Sequence, residues 1–122
     1  MLFRSPDWNS PKLAEYRSVL DRYVPGATKA SLGMAAWAAG KLLEVVAPGL
    51  PANPTPQDLV KALYKVKGET LGGLIPPLAY REGQRHADSN ACSIPFQVHD
   101  GKFVAKNGDN WLCPPGWQPV QK

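Results

Sequence analysis

The last third of the chain constrains the fold most, because it combines a proline-containing run with a hairpin between two cysteines. Residues 71–113 contain Gly-Gly-Leu-Ile-Pro-Pro-Leu at 72–78 and, later, Phe-Gln-Val-His-Asp-Gly-Lys-Phe-Val at 96–104. Asp100 and Gly101 stand between two alternating apolar stretches, which predicts a two-residue hairpin turn. The adjacent prolines exclude a central strand from the first run, and we expect residues 70–80 to form an extended segment.

The chain has two cysteines, Cys92 and Cys113, one on each side of the hairpin. Cysteines in these positions favour a disulfide bond, and disulfides are typical of exported proteins. The alternative is a pair of buried free thiols. The absence of a Cys-x-x-Cys motif excludes a thioredoxin-type site and a zinc ribbon.

The part of the chain before the hairpin predicts three helices. Ser10 before Pro11 and Thr55 before Pro56 are typical helix starts, in which a capping residue precedes a proline at the first helical position. Gly68 is predicted to end the third helix as its C-terminal glycine. We therefore expect an α/β chain, with three helices followed by an extended strand and a β-hairpin.

The second predicted helix, residues 28–46, is apolar on nearly every side. A helix of this kind must be buried on most of its surface. The first and third helices can cover one face only, and an uncovered apolar patch drives association. We therefore expect the isolated chain to form a homodimer, with Leu32, Trp37 and Leu43 near the contact.

Length and charge narrow the class of protein further. At 122 residues the chain is one domain or a piece of a larger one. Its net charge of +4 is scattered and not interleaved with aromatic residues, so we expect no nucleic-acid partner. No segment offers about 18 uninterrupted apolar residues for a membrane span. Residues 1–6 are not a secretory signal, and we expect an exported chain without one to be processed or truncated.

Several residues are of types that can support catalysis or metal binding. The histidines lie in different segments without a helical His-x-x-x-His pair, which is weak support for a metal site, and neither serine near them sits in a nucleophile elbow. Those residues are His86, Asp88, Ser89, Ser93 and His99. The glutamates lie in unrelated sequence contexts, which gives no support for a paired-carboxylate site. They are Glu15, Glu44, Glu69 and Glu82. We expect no catalytic residue, no metal, no cofactor and no enzymatic activity.

The tryptophans divide into two predicted roles. Trp37 lies within the apolar second helix and is predicted to belong to the core. Trp8 and Trp111 are the candidates for a surface or interface role.

Four motifs in order resemble one protein family. Residues 5–8, Ser-Pro-Asp-Trp, precede a Pro-x-Leu-x-x-Tyr helix; residues 35–43 form an alanine-rich helix; residues 58–67 precede Gly-Gly-Leu-x-Pro-Pro; and residues 98–104 form the hairpin. This order resembles the C-terminal part of type I periplasmic solute-binding proteins, the receptors of branched-chain amino acid ABC transporters. The resemblance is strongest to subgroups with paired cysteines around the last hairpin.

The resemblance implies a C-terminal fragment of a two-lobed receptor that is much longer than this chain. It implies an amino acid or amide-class solute bound between the lobes, with Ser31 and Leu32 facing that ligand. The partners would be the solute and an ABC transporter permease, and the full-length protein would be periplasmic or extracellular, with or without a lipid anchor. Residues 1–88 would be the helical part of a lobe with one extended segment, and residues 89–122 the disulfide-linked hairpin and tail. The alternative is a self-contained secreted protein-interaction module without a small-molecule ligand.

Overall fold

The computed structural model describes residues 11–27, 29, 31–83, 92–108 and 110–116. The helices are α1 (Pro11–Tyr23), α2 (Ser31–Val46), continued by a short 3₁₀ turn (Ala47–Gly49), and α3 (Pro56–Leu63). The strands are β1 (Lys67–Glu69), β2 (Leu78–Ala79), β3 (Phe96–His99) and β4 (Lys102–Ala105). The strands form two antiparallel pairs, β1–β2 and β3–β4. This arrangement confirms a small mixed α/β unit with three helices and a closing hairpin.

The start of α3 follows the sequence prediction in atomic detail. The Thr55 hydroxyl accepts the Asp58 N–H at 3.3 Å, and the Asp58 carboxylate accepts the Thr55 N–H at 2.9 Å. This reciprocal capping box satisfies two donors that the first helical turn leaves free. The Thr55 side chain, and then its backbone N–H, lower the pKa of Asp58. The helix α1 begins at Pro11 as predicted, whereas Ser10 lies outside the described residues.

The segment after α3 differs from the sequence prediction in two ways. The helix α3 ends at Leu63, and Gly68 lies inside β1 with a φ of 67°, so it is not the C-terminal glycine of the helix. Residues 70–80 are not one extended segment, because residues 71–76 form turns before the short strand β2. The two strands pair with a register irregularity between Lys67 and Glu69.

The core lies between the helices and the turn-rich segment. Leu13 on α1 and Met34 on α2 have no exposed surface. The buried cluster also includes Ile94, which links the base of the hairpin to the helices. On α2 the buried residues recur every fourth position, and they are Met34, Ala38, Leu42 and Val46.

The opposite face of α2 is exposed, which agrees with the expectation that neighbouring helices of the isolated chain cover one face only. Leu32 is 83% exposed and Leu43 is 49% exposed. The reason is that the other elements of the core contact one face of α2 only. Trp37 does not share the exposed face, since its ring packs on Tyr16 at a centroid distance of 5.9 Å.

The closing hairpin has the predicted turn. His99 pairs with Lys102 across Asp100 and Gly101, whose φ angles are 50° and 73°. Positive φ at both central residues is the requirement of a type I′ turn, which explains the Asp-Gly pair. All four residues of β3 are exposed, and three of the four in β4.

A disulfide joins Cys92 to Cys113 at the base of the hairpin, as predicted. Beside it, Ser93 and Leu112 exchange two backbone hydrogen bonds of 2.8 Å. Among the described residues, no helix has the length and apolar character needed to cross a membrane.

Candidate functional site

A half-open cavity of about 360 Å³ lies between α1, α2 and the turn-rich segment that follows β1. We call it the α2 groove. Its lining residues are Glu15, Trp37, Lys41, Glu44, Val45, Glu69, Leu71, Gly72 and Leu74. Aliphatic side chains and one indole ring form its apolar surface, and three carboxylates and one ammonium group give it a net negative charge.

Lys41 organises the charges of the α2 groove. Its ammonium nitrogen lies 2.9 Å from a carboxylate oxygen of Glu15 and 3.0 Å from one of Glu44. It also lies 5.3 Å from the ring centroid of Trp37, within cation–π range. Hydrogen bonds to Glu15 and then to Glu44 raise the pKa of Lys41. The lysine therefore stays protonated at neutral pH and joins α1 to α2.

Glu69 shapes the other wall of the groove through its contacts with the backbone. One oxygen of its carboxylate accepts the N–H groups of Thr70 at 2.9 Å and Leu71 at 2.6 Å. Leu71, Gly72 and Gly73 then have φ angles of 50°, 67° and 90°. Three consecutive left-handed residues turn the chain sharply, and two of them are glycines because glycine adopts this region without steric cost.

Trp111 fastens the C-terminal segment to this turn. Its indole N–H donates a hydrogen bond of 3.1 Å to the carbonyl oxygen of Gly73. The ring also packs against the buried core cluster. Its predicted role as a free surface or interface residue is therefore wrong, and Trp8 lies outside the described residues.

A second half-open cavity, of about 310 Å³, continues along α2 toward α3. It shares Val45 and Glu69 with the α2 groove and adds Lys65 and Lys67. The negative α2 groove and this more basic neighbour thus lie on either side of Glu69. Such a surface suits a small ligand that carries both signs of charge.

Of the two residues that the resemblance assigns to a ligand, Leu32 lines neither cavity. Ser31 is the first residue of α2, and its side chain lies outside the described part of the structure. Leu32 is exposed on the outer face of α2. The structure therefore does not bring Leu32 to the α2 groove.

Three of the four glutamates considered for a paired-carboxylate site lie in one cavity, which the sequence did not predict. Glu15, Glu44 and Glu69 all line the α2 groove, whereas their sequence contexts gave no support for a shared site. Lys41 and Glu44 lie three positions apart on one helix, and this spacing predicts their ion pair. The contact between Glu15 and Lys41 joins α1 to α2, and no local sequence pattern predicts it.

The histidines and serines considered for metal binding or catalysis are not assembled into a site in the described part of the chain. His86, Asp88 and Ser89 lie outside it. The exposed His99 lies 3.0 Å from the carboxylate of its neighbour Asp100. No group of three potential metal ligands occurs among the described residues. Among the described residues, the lining of the α2 groove contains no hydroxyl, thiol or imidazole group, and its polar groups are carboxylates and one ammonium group.

Comparison of the chain with protein-family models, with curated proteins and with solved structures finds no match. The function proposed below therefore rests on the residues and the geometry of this chain.

Proposed function

We propose that the chain is the C-terminal part of a two-lobed solute-binding protein of the type I periplasmic class. Such a protein captures an amino acid or a related small solute and delivers it to the permease of an ABC importer. The order of motifs supports the proposal, as does the sequence of helix, alanine-rich helix, helix and closing hairpin. The disulfide between Cys92 and Cys113 indicates an oxidising compartment, as a periplasmic or extracellular receptor requires.

The observation that carries the proposal is the exposure of the hairpin. Phe96, Val98 and Phe103 are 48%, 66% and 44% exposed. They remain exposed although the rings of the two phenylalanines pack together, with a centroid distance of 5.0 Å. An isolated two-stranded hairpin is marginally stable in water. Exposed apolar residues in a cluster mark a surface that another protein segment covers. In the proposed receptor, further elements of the same lobe supply that cover.

The proposed role is reversible capture without a chemical step. Ser31 and Leu32 are the positions that the resemblance places toward the ligand. Ser31 opens α2, and the free N–H groups of a first helical turn favour an anionic group such as an amino acid carboxylate. Leu32, which is exposed here, would contact the apolar part of the same solute once the second lobe closes over it.

The first test is the coding sequence that precedes the codon of Met1. The proposal expects an open reading frame that continues upstream and encodes a series of βα units. A stop codon followed by a secretory signal that ends just before Leu2 would contradict it and support a separate module.

The second test is solute binding by the protein of the complete reading frame. Isothermal titration with a panel of amino acids and small amides should give one bound solute per chain. Leu32→Asp should weaken that binding at least tenfold, which is about 1.4 kcal/mol. Leu43→Asp is the matched control, because it introduces the same charge on the same face of α2. Equal affinities for the two variants would remove Leu32 from the ligand site.

The alternative function is a self-contained secreted interaction module without a small-molecule ligand. It is favoured by the chain's own buried core, which joins Leu13 and Met34 to Ile94 at the base of the hairpin. Cooperative unfolding of the 122-residue chain, together with no solute binding by the complete reading frame, would favour this alternative.

A further inference from the structure

The face of α2 that points away from the core carries a regular apolar row. It consists of Leu32, Ala36, Ala39 and Leu43, and we call it the outer seam. All four residues are exposed, and none of them lines either cavity. Their spacing of four, three and four positions is the spacing of a coiled-coil contact. Gly40 borders the seam, and a Cβ atom there would meet nothing within 4 Å, so the surface is open.

The outer seam is symmetric about its own midpoint. The two leucines lie at its ends and the two alanines lie between them, at equal distances from the centre. A second α2 laid antiparallel would thus place each leucine against the other leucine of its partner, and each alanine against the other alanine. Two-fold contacts require such self-complementarity. The small central residues allow two helix backbones to approach closely.

We propose that the outer seam binds a second copy of this chain, with the two α2 helices antiparallel. The proposal goes beyond solute capture and concerns the 122-residue chain by itself, because one Leu32 side chain cannot contact a solute and a partner helix at the same time. Leu32 and Leu43 form the ends of the contact, and Trp37 remains within its own chain against Tyr16.

Charge complementarity selects the antiparallel orientation. In this orientation the positive end of each helix dipole lies beside the negative end of its partner. Glu44, whose side chain is 69% exposed, comes beside the first turn of the partner helix. Lys29, which precedes α2 by two positions and forms a 2.7 Å ion pair with Asp21 of its own chain, comes beside the last turn. A parallel pair would instead bring Lys29 against Lys29 and Glu44 against Glu44.

The size of the outer seam sets the expected strength. Leu32 and Leu43 lie 11 positions apart, so the seam is about 16 Å long. A contact of this size falls below about 1,200 Å², the lower end of stable specific interfaces. The dimer is therefore expected to be weak and reversible.

Disulfide trapping tests both the contact and its orientation. Leu32→Cys and Leu43→Cys are prepared as separate variants of the full chain with the native disulfide intact. Neither alone is expected to cross-link, because identical positions lie about 16 Å apart along antiparallel helices, beyond the reach of about 7 Å between Cα atoms. An equimolar mixture of the two variants is expected to give a covalent dimer. Val60→Cys, on the exposed side of α3, is the control and should cross-link with neither.

Sedimentation equilibrium provides an independent measurement. Leu32→Glu should raise the dissociation constant at least tenfold, whereas Val60→Glu should leave it unchanged. Adding Leu43→Lys to Leu32→Glu should restore association, since opposite charges then meet across the antiparallel seam. The inference is overturned by a monomeric wild-type chain at about 0.1 mM, by cross-linking of either leucine variant with itself, or by a dimer that Leu32→Glu does not weaken, as an exchanged hairpin would give.

Discussion

The helices and the closing hairpin differ in how they are held. The helices share a core in which Leu13 and Met34 are completely buried. Both faces of the hairpin β3–β4 are exposed, and its attachment lies at its base, through the Cys92–Cys113 disulfide. A chain of this size therefore stabilises one region by burying its side chains and the other region by a covalent cross-link.

The largest expected effect is the loss of a buried helical side chain. Leu13→Ala should lower the free energy of unfolding by roughly 3–5 kcal/mol, because it leaves a cavity in the core. Leu32→Ala removes the same atoms from an exposed position and should cost less than about 0.5 kcal/mol in dilute solution. Urea titration followed by the helical circular dichroism signal measures both. Similar losses of unfolding free energy in the two variants would contradict the assignment of Leu13 to the core and of Leu32 to the exposed face.

Removal of the disulfide should have the next largest effect, and it should fall on the hairpin. Closing this loop stabilises its region by roughly 3 kcal/mol in the chain-entropy model. In the Cys92→Ser/Cys113→Ser variant, nuclear Overhauser contacts between Val98 and Phe103 should disappear while the helical signal persists. Contacts that survive in the variant would show that side-chain packing alone holds the hairpin.

Two glycines of α2 should respond to alanine with opposite signs. A Cβ atom on Gly33 would lie 2.5 Å from the Tyr16 hydroxyl, so Gly33→Ala should cost roughly 1–3 kcal/mol. Gly40 has open space around it, and Gly40→Ala should stabilise the helix by roughly 0.5–1 kcal/mol. Thermal unfolding reports both changes.

A double substitution checks the cause of the Gly33 effect. Tyr16→Phe removes the hydroxyl, which is buried without a hydrogen-bond partner among the described residues, so it should be nearly neutral by itself. Combined with Gly33→Ala, it should recover most of the lost stability. Additive effects of the two substitutions would show that the strain has another source.

A modest effect is expected at the capping box of α3. Because the folded-state pKa of Asp58 is lowered, its contribution is complete above the unfolded-state value and is lost as the pH falls through the folded-state value. Thr55→Ala should cost roughly 1 kcal/mol near neutral pH. The variant should also lose less stability than the wild type between about pH 5 and pH 2. Parallel pH profiles from urea titrations would contradict this coupling.

Local sequence patterns predicted much of the fold. Pro11 and Pro56 fix helix starts through local geometry, and Asp100 with Gly101 fixes a turn because both need positive φ. The turns after β1 were missed because a leucine, Leu71, adopts a positive φ there. That conformation depends on Glu69, whose carboxylate accepts two backbone N–H groups, and a pattern of apolar residues does not reveal it.

The α2 groove was less predictable than the fold. The contact of Glu15 with Lys41 joins two helices, and Trp111 reaches Gly73 from 38 positions away. Contacts of this kind depend on how elements pack, which periodicity and spacing do not specify. The exposed outer face of α2, by contrast, follows the expectation that its neighbours cover one face of this apolar helix.

Amide hydrogen exchange of the isolated 122-residue chain tests the central claim most directly. The account predicts that the central amides of α1 and α2 exchange only by global unfolding, whereas the paired amides of β3 and β4 exchange through a local opening of lower free energy. It also predicts that reduction of the disulfide speeds exchange in the hairpin and leaves the helices protected. Hairpin amides as strongly protected as those of α2, before and after reduction, would contradict the claim that the hairpin depends on its cross-link and on cover from outside the chain.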